Sequence, residues 1–215
     1  MKILAVQSRM GIGDTVIFLP FIKALSKKFN SPISILVKEN SKANQYLHQT
    51  KYIDKILTLE RDNKTNNRHG GFFGIFKLAN DLKKYKFDKI FIFNSSLRFN
   101  LVAKISGIPQ IYQYPLFAKN KQHIIEAPKK FLKKNLDLDI NEDPEVQIDS
   151  NLISKAAQKF QIDKNTTNIL LGIGGSGPTK RIPAKTFLSV IDKISNMKNC
   201  RFVLATGQAH EEQEV

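Results

Sequence analysis

The run Lys2-Ile3-Leu4-Ala5-Val6-Gln7, the turn Gly11-Ile12-Gly13-Asp14 and the apolar-rich stretch of residues 15–29 follow one another at the start of the chain and decide the fold. A short, continuous apolar run that ends at a glycine turn and leads into a helix is how a strand buried on both faces opens a β-α unit. Asp14 stands directly before the apolar stretch, the place of a helix N-cap. Pro20 lies inside that stretch and has no N–H to donate, so the helix over 15–29 is expected to kink or to start late. The same alternation continues outward. Residues 33–37 and 53–59 read as strands, 60–71 as a polar mobile loop without periodicity, 72–85 as an amphipathic helix and 88–93 as a strongly apolar strand. Residues 97–106 read as a helix closed by Gly107, and 110–114 as a short strand stopped by Pro115.

Strands and helices in alternation, with near-continuous apolar strands, predict an α/β fold: a Rossmann-like parallel sheet with helices on both faces over residues 1–136, its first strand in the interior. Residues 137–150 turn acidic and lose the long apolar runs, and they are expected to be a linker. The pattern then restarts with a helix at 151–160, a strand at 168–173, a glycine-rich turn, a helix at 184–197, a strand at 201–206 and a charged helix start at 210–215. Two strands cannot bury both faces of a parallel sheet, so residues 151–215 are expected to be a partial second Rossmann-like domain, and this incomplete unit is expected to make the isolated chain poorly stable or self-associating.

Composition narrows the class. The 215 residues are 41% apolar, enough for a buried core and against a disordered chain. The longest apolar stretch, residues 16–22, is far short of the ~20 residues that span a bilayer. Met1 leads straight into a strand with no signal-peptide pattern, and a lone Cys200 excludes both an intramolecular disulfide and a cysteine metal cluster. A soluble cytoplasmic protein is expected. The net charge is +15, with 25 basic and 14 acidic residues up to position 150. A basic surface suits nucleic acid, anionic lipid or a phosphorylated substrate, whereas a Lys-, Asn- and Ile-rich chain also arises from composition alone. A nucleic-acid or membrane-binding module would interleave aromatics with lysines on one face, and no such stripe is evident in the sequence.

Ligands of open parallel sheets sit at the carboxyl ends of the strands, so the turns there hold the candidate residues. Gly11 and Gly13 open a helix as a dinucleotide fingerprint does, but Val16 occupies the third position, where Gly or Ala would allow close packing. A nicotinamide oxidoreductase is therefore the weaker enzyme reading. Asp14 fits two roles, a plain N-cap or a general base on an acceptor hydroxyl. Ser96 and Arg98 follow a strand end and could line the same cleft, with a helix cap at Ser95 or Ser96 as the plainer reading. The second glycine-rich turn, with Gly174, Gly175 and Ser176 ahead of Lys180 and Arg181, is not a Walker A loop, because Thr179 precedes Lys180. Its small residues let backbone N–H groups approach a phosphate and its basic residues add charge; a flexible turn with solvated cations is the alternative. The four histidines are scattered without ligand spacing, so no metal is expected.

With these residues placed, the chain resembles the heptosyltransferase-like family of inverting glycosyltransferases of lipopolysaccharide core biosynthesis. The resemblance rests on Ile3-Leu4-Ala5-Val6 with Gly11-Ile12-Gly13-Asp14-Thr15-Val16, Leu19-Pro20 and Ala24-Leu25. It continues in Phe87-Asp88-Lys89-Ile90 with Ser96-Leu97-Arg98, then in Gly174-Gly175-Ser176-Gly177, Lys180-Arg181-Ile182-Pro183 and Phe187, where Ile182 replaces the usual Trp. The resemblance implies two facing Rossmann-like domains (the GT-B arrangement), no metal or other cofactor, and a nucleotide-diphosphate sugar donor of the ADP-heptose type. It implies that Asp14 is the catalytic base and that Lys180 lies near the donor phosphates. It also implies an anionic glycolipid acceptor, no nucleic-acid partner, and a cytoplasmic location that leaves room for peripheral association with the inner membrane. The chain is expected to be an N-terminal domain plus part of a C-terminal one, so donor binding by these 215 residues alone is not expected.

Overall fold

The computed structural model describes residues 1–9, 11–61, 67–116, 123–163, 165–174 and 182–207. The chain divides into two compact units, Met1–Ile148 and Asp149–Val215.

The first unit is built on five parallel strands: β1 (Ile3–Val6), β2 (Ile33–Lys38), β3 (Ile53–Leu59), β4 (Lys89–Ile92) and β5 (Gln110–Gln113). Their spatial order is β3-β2-β1-β4-β5, with Ile3 opposite Ile33 on one side and Lys89 on the other, so the first strand is central, as expected. The two-residue period of a strand sends neighbours to opposite faces, and both faces are covered. Ile3 and Ala5 join Ile33, Ile35, Val37, Phe91 and Phe93 in one core. Leu4 and Val6 join Leu36, Leu59, Ile90 and Ile92 in the other. This two-sided burial is why the strands read as unbroken apolar runs.

The helices of this unit are α1 (Ile12–Ile17), α2 (Leu19–Phe29), α3 (Ala43–Tyr46), α4 (Phe73–Lys83), α5 (Leu97–Ile105) and α6 (Glu126–Leu136). The single helix expected over 15–29 is two. Pro20 sits in the first turn of α2, where its missing N–H costs nothing, and the buried Phe18 forms the joint between α1 and α2. Asn30 in the left-handed region ends α2, and Lys27 and Lys28 face its negative end. α2 and α6 supply Leu25, Phe131 and Leu132 to the first core, while α4 and α5 supply Leu78, Leu82, Phe99 and Val102 to the second.

Three points of the sequence reading for this unit need correction. The sequence reading left α6 out altogether. Residues 67–71 of the supposed mobile loop are pinned: His69 is buried, its Nδ1 accepts from Glu60 N at 3.0 Å and its Nε2 meets Asp81 Oδ2 at 3.0 Å. Residues 138–146, expected within a linker, contribute buried Ile140 and the packed Leu138 and Val146 to the first core. Glu142 there binds Lys23 and Lys27 of α2, and these two cations pull its carboxyl down to about 2.

The second unit holds α7 (Ser150–Lys159), β6 (Thr167–Gly172), α8 (Ala184–Met197) and β7 (Cys200–Ala205). Asp149 caps α7, accepting from Asn151 N at 2.7 Å. β6 and β7 pair in parallel from Thr167–Cys200 to Gly172–Ala205. Among the described residues this sheet has two strands, and Leu170, Leu188 and Leu204 are more than half exposed. The helix start expected at 210–215 lies outside the described residues.

Candidate active site at the carboxyl edge of the sheet

β1 and β4 lie side by side, but the chain leaves β1 toward β2 and leaves β4 toward β5. The loops beyond their carboxyl ends diverge and open a crevice, the usual ligand position in an open parallel sheet. Gln7, Ser8 and Arg9 run from β1 into Gly11–Asp14 on one side; Asn94, Ser95 and Ser96 run from β4 into α5 on the other.

Gly11 has φ +103° and ψ 162°, a conformation that a side chain would strain, and it takes the N-cap position of α1. Its carbonyl accepts from Thr15 Oγ1 at 3.1 Å. Asp14 is therefore not the cap: it is the third residue of α1, half-buried, and a Cβ on Gly11 would stand 4.0 Å from Asp14 Oδ2. Among the described residues no hydrogen bond or ion pair holds the Asp14 carboxylate. A Cβ on Gly13 would meet nothing within 4 Å, so the turn is open at the residue before Asp14. Val16 packs against the first core. The third position of the dinucleotide fingerprint is thus a core contact, against the nicotinamide reading.

The turn that carries Asp14 is held by Gln7, which the sequence reading passed over. Gln7 is buried; its Nε2 donates to Asp14 O at 3.2 Å and its Oε1 accepts from Arg9 N at 2.7 Å. Across the crevice Asn94 Nδ2 donates to Ser8 Oγ at 3.2 Å, while Asn94 Oδ1 accepts from Ser96 N at 2.9 Å. Gln113 at the end of β5 braces this turn, its Nε2 donating to Asn94 O and Ser96 O at 3.1 and 2.9 Å. Ser96 occupies the N-cap position of α5, but its side chain makes no capping hydrogen bond and the residue is exposed, so the plain helix-cap reading does not hold for it.

Arg98 reaches α4. Its Nη1 donates to Gly71 O at 2.7 Å and its Nη2 to His69 O, fixing the start of α4 to the start of α5. The neighbouring Asp81 binds Arg68 through two hydrogen bonds, and these, with His69, hold its carboxyl below the usual carboxylate range. Gly174 is exposed just beyond β6. Gly175, Ser176, Lys180 and Arg181 lie outside the described residues.

Beside β5, a cleft of about 780 Å³ is lined by Gln113, Tyr114, His123, Glu126, Lys130 and Lys134 among others. Burial pushes the Tyr114 hydroxyl well above its usual range, and nearby Arg9 acts the other way. Among the described residues no three His, Cys, Asp or Glu side chains group to hold a metal, and no helix is long and apolar enough to cross a membrane.

Neither a family model nor a curated protein matches the sequence. Solved structures do match. A glycosyl transferase family 9 protein from Veillonella parvula superposes with a TM-score of 0.73 at 20% identity, covering 94% of this chain and 62% of that one. E. coli ADP-heptose lps heptosyltransferase II gives 0.68 at 18% identity, covering 100% and 67%. The chain has the heptosyltransferase fold. A third match, E. coli heptosyltransferase WaaC with ADP-2-deoxy-2-fluoro heptose, gives 0.63 at 14% identity over 100% of this chain and 71% of that one. The chain thus spans roughly two thirds of the length of these heptosyltransferase-fold proteins.

Proposed function

We propose that the protein is a glycosyltransferase that transfers a sugar, of the ADP-heptose type, from a nucleotide-diphosphate donor to an anionic lipopolysaccharide-type glycolipid with inversion at the anomeric carbon. The observation that carries this reading is the Asp14 carboxylate, uncommitted to any described partner, over an open Gly11–Gly13 turn at the crevice of a heptosyltransferase fold. Asp14 takes the proton from an acceptor hydroxyl as its oxygen attacks the anomeric carbon and the bond to the donor diphosphate breaks. The leaving diphosphate carries the developing negative charge, and the cationic side chains of Lys180 and Arg181 offset it. Ser96 and Gly13 border the acceptor. Lys130 and Lys134 in the cleft beside β5 offer charge to its phosphates or carboxylates. The reaction so drawn takes place on the cytoplasmic side of the inner membrane.

Incubating the protein in a form with a complete second domain, with ADP-heptose labelled in the sugar and a lipopolysaccharide-core acceptor, tests this. Label should pass to the lipid fraction, and NMR of the product should show an anomeric configuration opposite to the donor's. Retention of configuration, or donor consumed with no label in lipid, contradicts the reading.

A further inference from the structure

α4 and α5 pack side by side over one face of the first sheet, and their outward faces set large exposed apolar side chains among lysines. Phe72, Phe73 and Phe76 are 67, 77 and 49% exposed. Their rings stand edge to face, Phe72 being 6.0 Å from Phe73 and 5.6 Å from Phe76 between centroids. Along α5, Leu97, Leu101 and Ile105 recur every four residues and are also exposed. A single exposed apolar residue is ordinary, but three rings in contact at the start of α4 and an apolar stripe along the adjacent α5 are not. The sequence reading found no face combining aromatics with cations; here the fold creates one. Residues 67–86 and 97–109 carry seven Lys or Arg, Lys77 and Lys104 among them, against one acidic residue. That residue, Asp81, is already bound to Arg68 and His69.

We infer that this surface docks on an anionic lipid bilayer, with the phenyl rings and the Leu97–Leu101–Ile105 stripe at the headgroup–acyl boundary and the lysines among the phosphates. Charge decides between occupants. A second copy would bring the same cations to a symmetric contact and repel, whereas anionic headgroups complement them. The patch also lies where it is useful. Phe72 and Phe73 open α4, Leu97 follows Ser96 directly, and Arg98 ties these two helix starts together at the carboxyl edge of the sheet. The inference deepens the glycolipid-acceptor reading, on which it rests for its purpose, by naming the surface that brings the crevice to a membrane-anchored substrate.

The chain has no tryptophan, so Phe73→Trp makes a single reporter. With vesicles of phosphatidylcholine containing about 30% phosphatidylglycerol, its emission should shift to the blue and the protein should sediment with the lipid. Binding should weaken by at least about tenfold on pure phosphatidylcholine, and likewise in the Phe72→Ser, Phe73→Ser, Phe76→Ser triple variant. The three rings are exposed, so that variant should keep the parent's urea midpoint, read by tyrosine fluorescence. Parent protein that ignores anionic vesicles overturns the inference. So does a folded triple variant that still binds them, or one that merely turns a dimer into a monomer. No donor or acceptor is present in this assay, so its failure leaves the transfer chemistry standing, and a failed transfer assay leaves the vesicle result standing.

Discussion

Replacing Gly74 by alanine sets two physical effects against each other. Gly74 is the second residue of α4, and in a helix alanine is favoured over glycine by about 0.5–1 kcal/mol. Helix propensity alone therefore predicts a more stable protein. The structure predicts the opposite. A Cβ on Gly74 would stand under 3.0 Å from the His69 backbone carbonyl and 2.8 Å from Arg98 Nη2. His69 has little room to retreat, because its backbone N donates to Glu60 O at 2.9 Å while its ring is held by Glu60 N and Asp81. Moving Arg98 instead breaks its bonds to the His69 and Gly71 carbonyls. Overpacking of this kind costs about 1–3 kcal/mol, more than the gain in helix propensity. Urea denaturation followed by tyrosine fluorescence measures the balance, since all five tyrosines (Tyr46, Tyr52, Tyr85, Tyr112 and Tyr114) lie in the first unit. Gly74→Ala should lower the stability of that unit by about 1–3 kcal/mol. A variant as stable as the parent, or more so, refutes the close approach of the three segments.

Two further changes probe the braces of the fold and the site. Gln7→Leu removes the side chain that joins Asp14 O to Arg9 N, and should cost about 1–3 kcal/mol of stability together with more than about tenfold in transfer rate; an unchanged rate in the folded variant would show that the Gln7 brace does not position Asp14. Glu142→Gln tests the tie between residues 138–148 and α2. The Glu142 carboxyl is held at about 2 in the folded protein against an ordinary 4.5, so its contribution is complete above about pH 4.5 and is lost as pH falls toward 2. With the side chain 44% exposed, solvent screening limits it to about 1 kcal/mol or less. The difference between parent and variant in urea midpoint should shrink on acidification; a difference that grows instead contradicts the assignment.

The sheet was legible in the sequence because β1, β2 and β4 are buried on both faces, and such strands are written as continuous apolar runs with glycine or polar turns after them. The break between α1 and α2 was legible through Pro20. What escaped depends on residues distant in sequence. His69 is polar and lies in an aperiodic stretch, so nothing local reveals that Glu60 and Asp81 will enclose it. Gln7, Asn94 and Gln113 act through side-chain bonds to backbone that leave no periodic trace. α6 is dense in lysine, and its apolar stripe is limited to Ala127, Pro128, Phe131 and Leu132. Asp14 was found as a candidate, but its relation to the helix was misread, because the positive φ at Gly11 moves the cap three residues upstream.

Substituting Asp14 with asparagine tests the central claim most directly. Gly11 caps α1, so the change leaves the cap intact and removes only a carboxylate from the helix's first turn, worth about 0.3–1 kcal/mol. If Asp14 is the base, sugar transfer by the protein with a complete second domain should fall by ~100-fold or more while the urea midpoint of the first unit barely moves. Full transfer activity in a well-folded Asp14→Asn variant would contradict the account and leave Asp14 as a surface residue of α1.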